Sequence, residues 1–324
     1  MSQQKILLPG GSGFLGSYLA TRLAQQGYVV TIPSRRRERH RRLMTLPNVS
    51  VVEADAHDPA QLAALVAGQD AVINLVGILH SRDVALPYSK DFLRAHVELP
   101  QKIVDAMRTT GVRRLLHVSA LQADERGASE YLRSKGAGER IVLAAQDELD
   151  VTVFRPAVMF GAGDHFLAMF ARWLALPLLP LGMLGARLQP VWVADVADAI
   201  AASLNDATTF GRAYDLAGSE VYTFAELLAY VARLTERRTR ILPLSEGLAY
   251  LQAGLWWLLP KPEVTQDSLR TLQANAILDA DSCLPATWRP ALLEAIAPTY
   301  LSRHTPRARL DIYRARARRA LAGS

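Results

Sequence analysis

Two side chains one helical turn apart, Tyr131 and Lys135, carry the chemistry this sequence suggests. They lie in the run Ser129-Glu130-Tyr131-Leu132-Arg133-Ser134-Lys135-Gly136-Ala137-Gly138-Glu139, and residues four apart share a helix face. An ammonium group beside a phenol makes the phenol easier to ionise. Tyr131 is therefore expected to donate or accept the proton that accompanies a hydride transfer. Lys135 would be its electrostatic partner and would hydrogen-bond a nicotinamide ribose. Ser119, upstream, is the candidate donor to a substrate carbonyl. A Tyr/Lys pair on any surface helix would look the same, so the elements around the pair decide its meaning.

The deciding stretch is Lys5-Ile6-Leu7-Leu8-Pro9-Gly10-Gly11-Ser12-Gly13-Phe14-Leu15-Gly16. A short apolar run reads as a buried strand, glycines follow, and Phe14, Leu15, Leu19, Leu23 and Ala24 then fall at helical spacing. Strand, glycine turn and helix come in the order a dinucleotide needs. Gly10 permits the tight turn, Gly13 admits a pyrophosphate close to the main chain, and Gly16 lets the helix pack close. The amides that open the helix, at Phe14 and Leu15, face the phosphate charge.

Strands are expected at Tyr28–Ile32, Val49–Glu53, Asp70–Leu75, Val112–Ser119, Asp150–Phe154 and Ala213–Leu216, alternating with helices, one of them over Phe92–Thr109. This predicts an α/β fold with a Rossmann-type, doubly wound parallel sheet covered on both faces. The second strand is followed by Pro33, Ser34, Arg35, Arg36 and Arg37, with no carboxylate to hold ribose hydroxyls. Ser34, Arg35 and Arg36 are expected to hold a 2′-phosphate. NADP(H) is thus preferred as cofactor, with NAD(H) still open. Asp55 and Ala56 end the third strand beside an adenine, and Asn74, Val76 and Gly77 line the nicotinamide ribose and pyrophosphate. Asp58-Pro59 starts a helix, and Thr223-Phe224-Ala225-Glu226 is a capping box. Asp195 is expected to cap the helix that carries Val196, Ile200 and Leu204. His96 falls inside a helix and reads as a packed residue outside the catalytic set.

The order of these motifs resembles the extended or atypical short-chain dehydrogenases/reductases. It is carried by the glycine turn, Asp55, Asn74 to Gly77, His117-Val118-Ser119-Ala120, Tyr131 to Lys135, Arg155-Pro156 and Gly161-Ala162-Gly163-Asp164. More narrowly, Ser119-Ala120-Leu121, Arg155-Pro156-Ala157-Val158-Met159-Phe160-Gly161 and Gln189-Pro190-Val191-Trp192-Val193-Ala194-Asp195-Val196-Ala197 are similar to the nucleotide-binding accessory subunits of respiratory complex I and their bacterial relatives. The resemblance implies that Val118, Pro156 and Val158 also touch the cofactor. It covers most of residues 5–235 and fades beyond. Two departures stand out. Leu121 occupies the position where active members carry a carbonyl-polarising Ser or Thr, and loss of such a donor costs about a hundredfold or more in rate. Pro9 stands where the family often has Thr.

With 324 residues, half of them hydrophobic, the chain has globular composition. Residues 1–160, with 187–218 returning, are expected to form the NAD(P)-binding domain. Residues 161–186 and 219–302 would form a smaller, mostly helical subdomain, and 303–324 a basic tail. Cys283 is the single cysteine, which excludes an internal disulfide and fits a reducing compartment. No signal-peptide core or membrane span is evident, so a cytoplasmic location is expected. The net charge is +6, concentrated at Arg35–Arg42 and Arg303–Arg319. The apolar run Phe166–Leu184, broken by Pro177 and Pro180, reads as core beneath a cap, as a lining for a hydrophobic ligand or as a surface that packs on a partner. Ser245–Leu259, with Trp256 and Trp257, suits a membrane interface, a partner surface or the core of a small domain, and the basic tail adds weight to the first two. The expected partners are a nicotinamide dinucleotide and either a respiratory-chain complex or an anionic membrane at its inner face, with no nucleic acid. Two functions stand side by side. One is a dinucleotide-binding protein of weak or absent turnover tied to complex I or quinone metabolism. The other is an active NAD(P)-dependent reductase, epimerase or dehydratase.

Overall fold

The computed structural model describes residues 3–81, 85–256 and 264–302. Its centre is a seven-stranded sheet in which every pairing is parallel. The strands are β1 (Lys5–Leu7), β2 (Val29–Ser34), β3 (Val49–Glu53), β4 (Ala71–Asn74), β5 (Arg114–Val118), β6 (Asp150–Pro156) and a seventh, Arg212–Leu216. Their spatial order is β3-β2-β1-β4-β5-β6 and then the seventh strand. The direction of winding reverses between β1 and β4, which is where ligands sit in doubly wound sheets.

Adjacent strand residues are buried on opposite faces, which is why the strands read as unbroken apolar runs. Ile6, Ile73 and Leu116 pack with Leu19 and Leu23 of α1 (Phe14–Gln25) and with Ile200 of the Val193–Ala202 helix. Their neighbours Leu7, Val72 and Leu115 pack on the other face with Leu62 of α2 (Pro59–Val66), Ile103 and Val142. Asp58 caps α2 by accepting from the amides of Ala60 and Gln61, and the Thr223–Glu226 capping box forms as expected.

Three expectations change. Val191–Trp192 does not join the main sheet but pairs with Met159–Phe160 in a separate two-stranded ladder. Trp192, not Asp195, occupies the N-cap of the next helix, because Asp195 lies within its first turn and turns outward to accept from the Ala291 amide at 2.7 Å. The helix over 92–109 is not uniform. Lys90–Phe92 leads into a π-helical turn over Leu93–Glu98, followed by Leu99–Thr110. Pro100 has no N–H to return to the carbonyl of His96, so the α-helical ladder is interrupted there.

The run 166–184 folds as a helix, Phe166–Trp173, and a strand, Leu178–Leu181. With Phe224, Leu227 and Val231 it forms a second core. Helix Glu246–Trp256 covers part of it, while Trp257 to Leu259 and the basic tail lie outside the described residues. No helix among the described residues is long and apolar enough to cross a membrane.

Candidate functional site

The glycine turn and the end of β4 meet at the carboxyl edge of the sheet. Leu75 N–H donates to the Pro9 carbonyl at 2.9 Å. Gly10 has φ +80°, and a Cβ there would lie 2.8 Å from the backbone of Leu75 and Val76. Gly16 is equally crowded, since its Cβ would fall 2.5 Å from Gly11 backbone atoms. These two glycines are required by the fold itself. Gly13, the N-cap of α1, has ordinary extended backbone, and a Cβ on it would meet only the Gly10 carbonyl at 3.2 Å. A Cβ on Gly77 would meet only His96 Nε2 at 3.8 Å. A Cβ at Gly13 would thus press on one backbone oxygen and one at Gly77 would make only an ordinary contact, in a glycine-lined stretch of main chain at the first turn of α1, where Phe14 and Leu15 sit.

Asn74 is buried, and both ends of its side chain are spent within the protein. Its Oδ1 accepts from Val76 N–H at 3.1 Å, so its Nδ2 donates to His117 Nδ1 at 3.1 Å. Asn74 thus shapes the Val76 backbone rather than presenting its own amide. At the end of β2, Ser34 Oγ accepts from Arg36 N–H at 3.3 Å, and the Arg35 and Arg36 side chains are exposed. Asp55 accepts from His57 N–H at 3.0 Å and pairs with Arg94 at 3.5 Å, with Ala56 between Asp55 and His57.

Lys135 is almost fully buried, and its Nζ donates to the Val118 carbonyl at 2.6 Å. Burial pushes it down to about 8, partly opposed by Glu139. The expected easing of Tyr131 ionisation is not found. Burial pushes its phenol up to about 12, because the tyrosine ring lies against Phe92 and His96. Tyr131 and Lys135 share a face as their spacing predicts. The Ser119 hydroxyl, one residue beyond Val118, is buried with no hydrogen-bond partner among the described residues. An orphaned hydroxyl beside the Lys135 anchor and a glycine-lined turn opposite the end of β4 fit a dinucleotide with its nicotinamide end near Ser119. Such a cofactor would supply or take a hydride there. Pro156 is buried, its carbonyl accepting from Leu121 N–H at 3.0 Å, and Val158 is half-buried on the same edge.

Leu121 is packed into the main core, and Gln122 turns the chain away with φ +63°. The loop then lies on the Glu130–Ala144 helix so tightly that a Cβ on Gly136 would meet the Asp124 carbonyl carbon at 2.6 Å. Asp267 carries no local sequence signal for its place here. From the Gln266–Gln273 helix its carboxylate accepts from the amides of Glu130, at 2.7 Å, and Tyr131, at 3.1 Å. A separation of 136 residues hides that contact from any pattern of spacing. Arg155 binds Glu139 and lies 3.5 Å from Asp215, so the end of β6 is tied to the same helix. Among the described residues no cluster of His, Cys, Asp and Glu could hold a metal ion.

The profile of the NAD dependent epimerase/dehydratase family matches residues 6–217. The chain belongs to that family. It is 33% identical over 281 residues to the mitochondrial NADH dehydrogenase (ubiquinone) 1 alpha subcomplex subunit 9 of Rattus norvegicus, covering 84% of this chain and 72% of the relative. It is 28% identical to the ceramide reductase of Caulobacter vibrioides, over 74% of each protein. UDP-glucose 4-epimerase of Thermus thermophilus, solved in complex with NAD, superposes with a TM-score of 0.62 at 21% identity, covering 84% of this chain and 98% of the epimerase. The epimerase/dehydratase fold is thus shared at low sequence identity.

Proposed function

We propose that this protein holds NADP(H), turns it over weakly or not at all, and serves respiratory complex I or quinone metabolism at the inner face of a membrane. Leu121 is the observation that carries this reading. The resemblance puts it at the position of the carbonyl donor, and it has no hydroxyl and is 5% exposed. Tyr131 adds to it, because a phenol raised to about 12 is a poor acid near neutral pH. The likeness to a subunit of mitochondrial NADH dehydrogenase supports the respiratory association. Residues 1–160 and 187–218 would hold the nucleotide, and 161–186 and 219–302 would face the partner. On the Glu246–Trp256 helix, Leu248, Leu251 and Leu255 form an exposed apolar stripe at 52%, 60% and 59%, which supports a peripheral seat on the membrane.

NADP(H) is favoured over NAD(H) because Ser34, Arg35 and Arg36 close β2 with no carboxylate among them. Calorimetry on the nucleotide-stripped protein tests this. NADPH should bind at least about tenfold more tightly than NADH, a difference of about 1.4 kcal/mol. The Arg35→Ala/Arg36→Ala variant should lose that preference while keeping its NADH affinity. Equal affinities in the wild type would remove the NADP assignment, and no uptake of either nucleotide would remove the binding role.

The unpartnered Ser119 hydroxyl favours a second reading, an active NAD(P)-dependent reductase, epimerase or dehydratase. Ser119 would polarise the carbonyl and Tyr131 would pass the proton. Rapid NADPH oxidation with a carbonyl or quinone substrate, abolished in Tyr131→Phe with nucleotide binding intact, would establish it.

A further inference from the structure

His96 occupies the π-helical turn and is buried. Its Nε2 lies 3.0 Å from the amide nitrogen of Ile78, which can only donate, so Nε2 accepts. A neutral ring then carries its proton on Nδ1, which faces the Ser134 hydroxyl at 2.8 Å. That hydroxyl donates onward to the Tyr131 carbonyl at 2.8 Å. Donors and acceptors run in one direction from Ile78, through His96 and Ser134, to Tyr131. Phe92 stacks on the imidazole at 5.4 Å between centroids, and the Tyr131 ring stands edge-on to it at 5.7 Å. Burial and the facing side chains of Lys135 and His117 hold the imidazole well below its ordinary range, hence neutral. The π turn sets this arrangement. It brings the His96 carbonyl so close to the neighbouring helix that a Cβ on Gly138 would lie 1.9 Å from it.

Ile78 follows Val76 and Gly77, the segment opposite the glycine turn. We propose that His96 is a positioning residue that ties the cradle backbone at Gly77–Ile78 to the helix carrying Tyr131 and Lys135, so that cofactor cradle and proton-transfer pair are held as one unit. The proposal rests on the reading that Gly77 faces the nucleotide. It assigns a role to a residue that otherwise looks like packing.

Two variants separate the tie from packing. In His96→Gln the side-chain oxygen reaches the place of Nε2 and can accept from Ile78 N–H. In His96→Asn the shorter amide reaches Ser134 only. Hydrogen exchange at the Ile78 amide should quicken about tenfold in His96→Asn, the loss of one neutral hydrogen bond, and stay within about twofold in His96→Gln. NADPH affinity measured by calorimetry should follow the same order. Equal exchange at Ile78 in the two variants would overturn the proposal. Nitrogen NMR of the wild-type ring gives a check that needs no variant: a proton on Nδ1 is expected, and a proton on Nε2 would overturn it. Exchange and NMR are both read without nucleotide, so a wild type that fails to bind NADPH would sink the binding role and leave this test standing.

Discussion

Gly13→Ala asks whether a dinucleotide lies over the glycine turn. The backbone at Gly13 is φ −79°, ψ −172°, a conformation open to alanine, and the new methyl carbon would press only on the Gly10 carbonyl, at 3.2 Å, which must give slightly. Alanine at an N-cap costs about 0.5–1 kcal/mol against glycine. The stiffer unfolded chain returns about 0.4–1 kcal/mol. The tight contact adds about 1 kcal/mol, so the net loss should stay within about 2 kcal/mol, a melting shift of at most about 4–8 °C. Gly10→Ala is the contrast. Its φ of +80° costs about 1–2 kcal/mol for a residue with a Cβ. Contacts at 2.8 Å to Leu75 and Val76 backbone add overpacking of about 1–3 kcal/mol. Thermal melting and NADPH calorimetry on both variants give the result. Gly13→Ala should fold with at most that modest loss yet bind NADPH at least about tenfold more weakly, a loss of about 1.4 kcal/mol. Gly10→Ala should lose stability as well as binding. Undiminished binding in Gly13→Ala would refute the placement of the pyrophosphate over α1.

Lys135 makes stability depend on pH with a defined sign. It titrates at about 8 in the fold, against about 10.4 in an unfolded chain. Between those values the unfolded chain binds more protons, so stability rises with pH through that window. The advantage of the wild type over Lys135→Met should therefore grow as pH rises from about 8 to about 10, and a flat difference in melting temperature would show that the lysine is not buried as described. The Leu248→Glu/Leu251→Glu variant should melt like the wild type, since exposed positions contribute within about 0.5 kcal/mol. It should also lose sedimentation with anionic vesicles; unchanged sedimentation would remove this helix from the membrane reading.

The sequence by itself determined the sheet and the turn. Apolar runs buried on both faces mark the strands, and a left-handed turn at Gly10 with backbone contact at Gly16 leaves no residue but glycine at either place. Both signals are local, so spacing alone reveals them, and the same holds for the Asp58 and Thr223 caps. The position of Tyr131 on the same face as Lys135 follows from helical period. The ionisation of Tyr131 does not, because the ring packs against Phe92 and His96 from a separate helix and burial raises it. Asp195 looked like a cap because an acid ahead of an apolar helical pattern usually is one, yet the helix begins earlier and the carboxylate is drawn to the Ala291 amide. Only the tertiary structure decided the roles of Asp267 and His96. One binds the Glu130 and Tyr131 amides across the chain, and the other depends on a π turn set by Pro100 and on backbone contact at Gly138. Such contacts join segments with no shared periodicity, so they exist only once the two sides of the fold have been brought together.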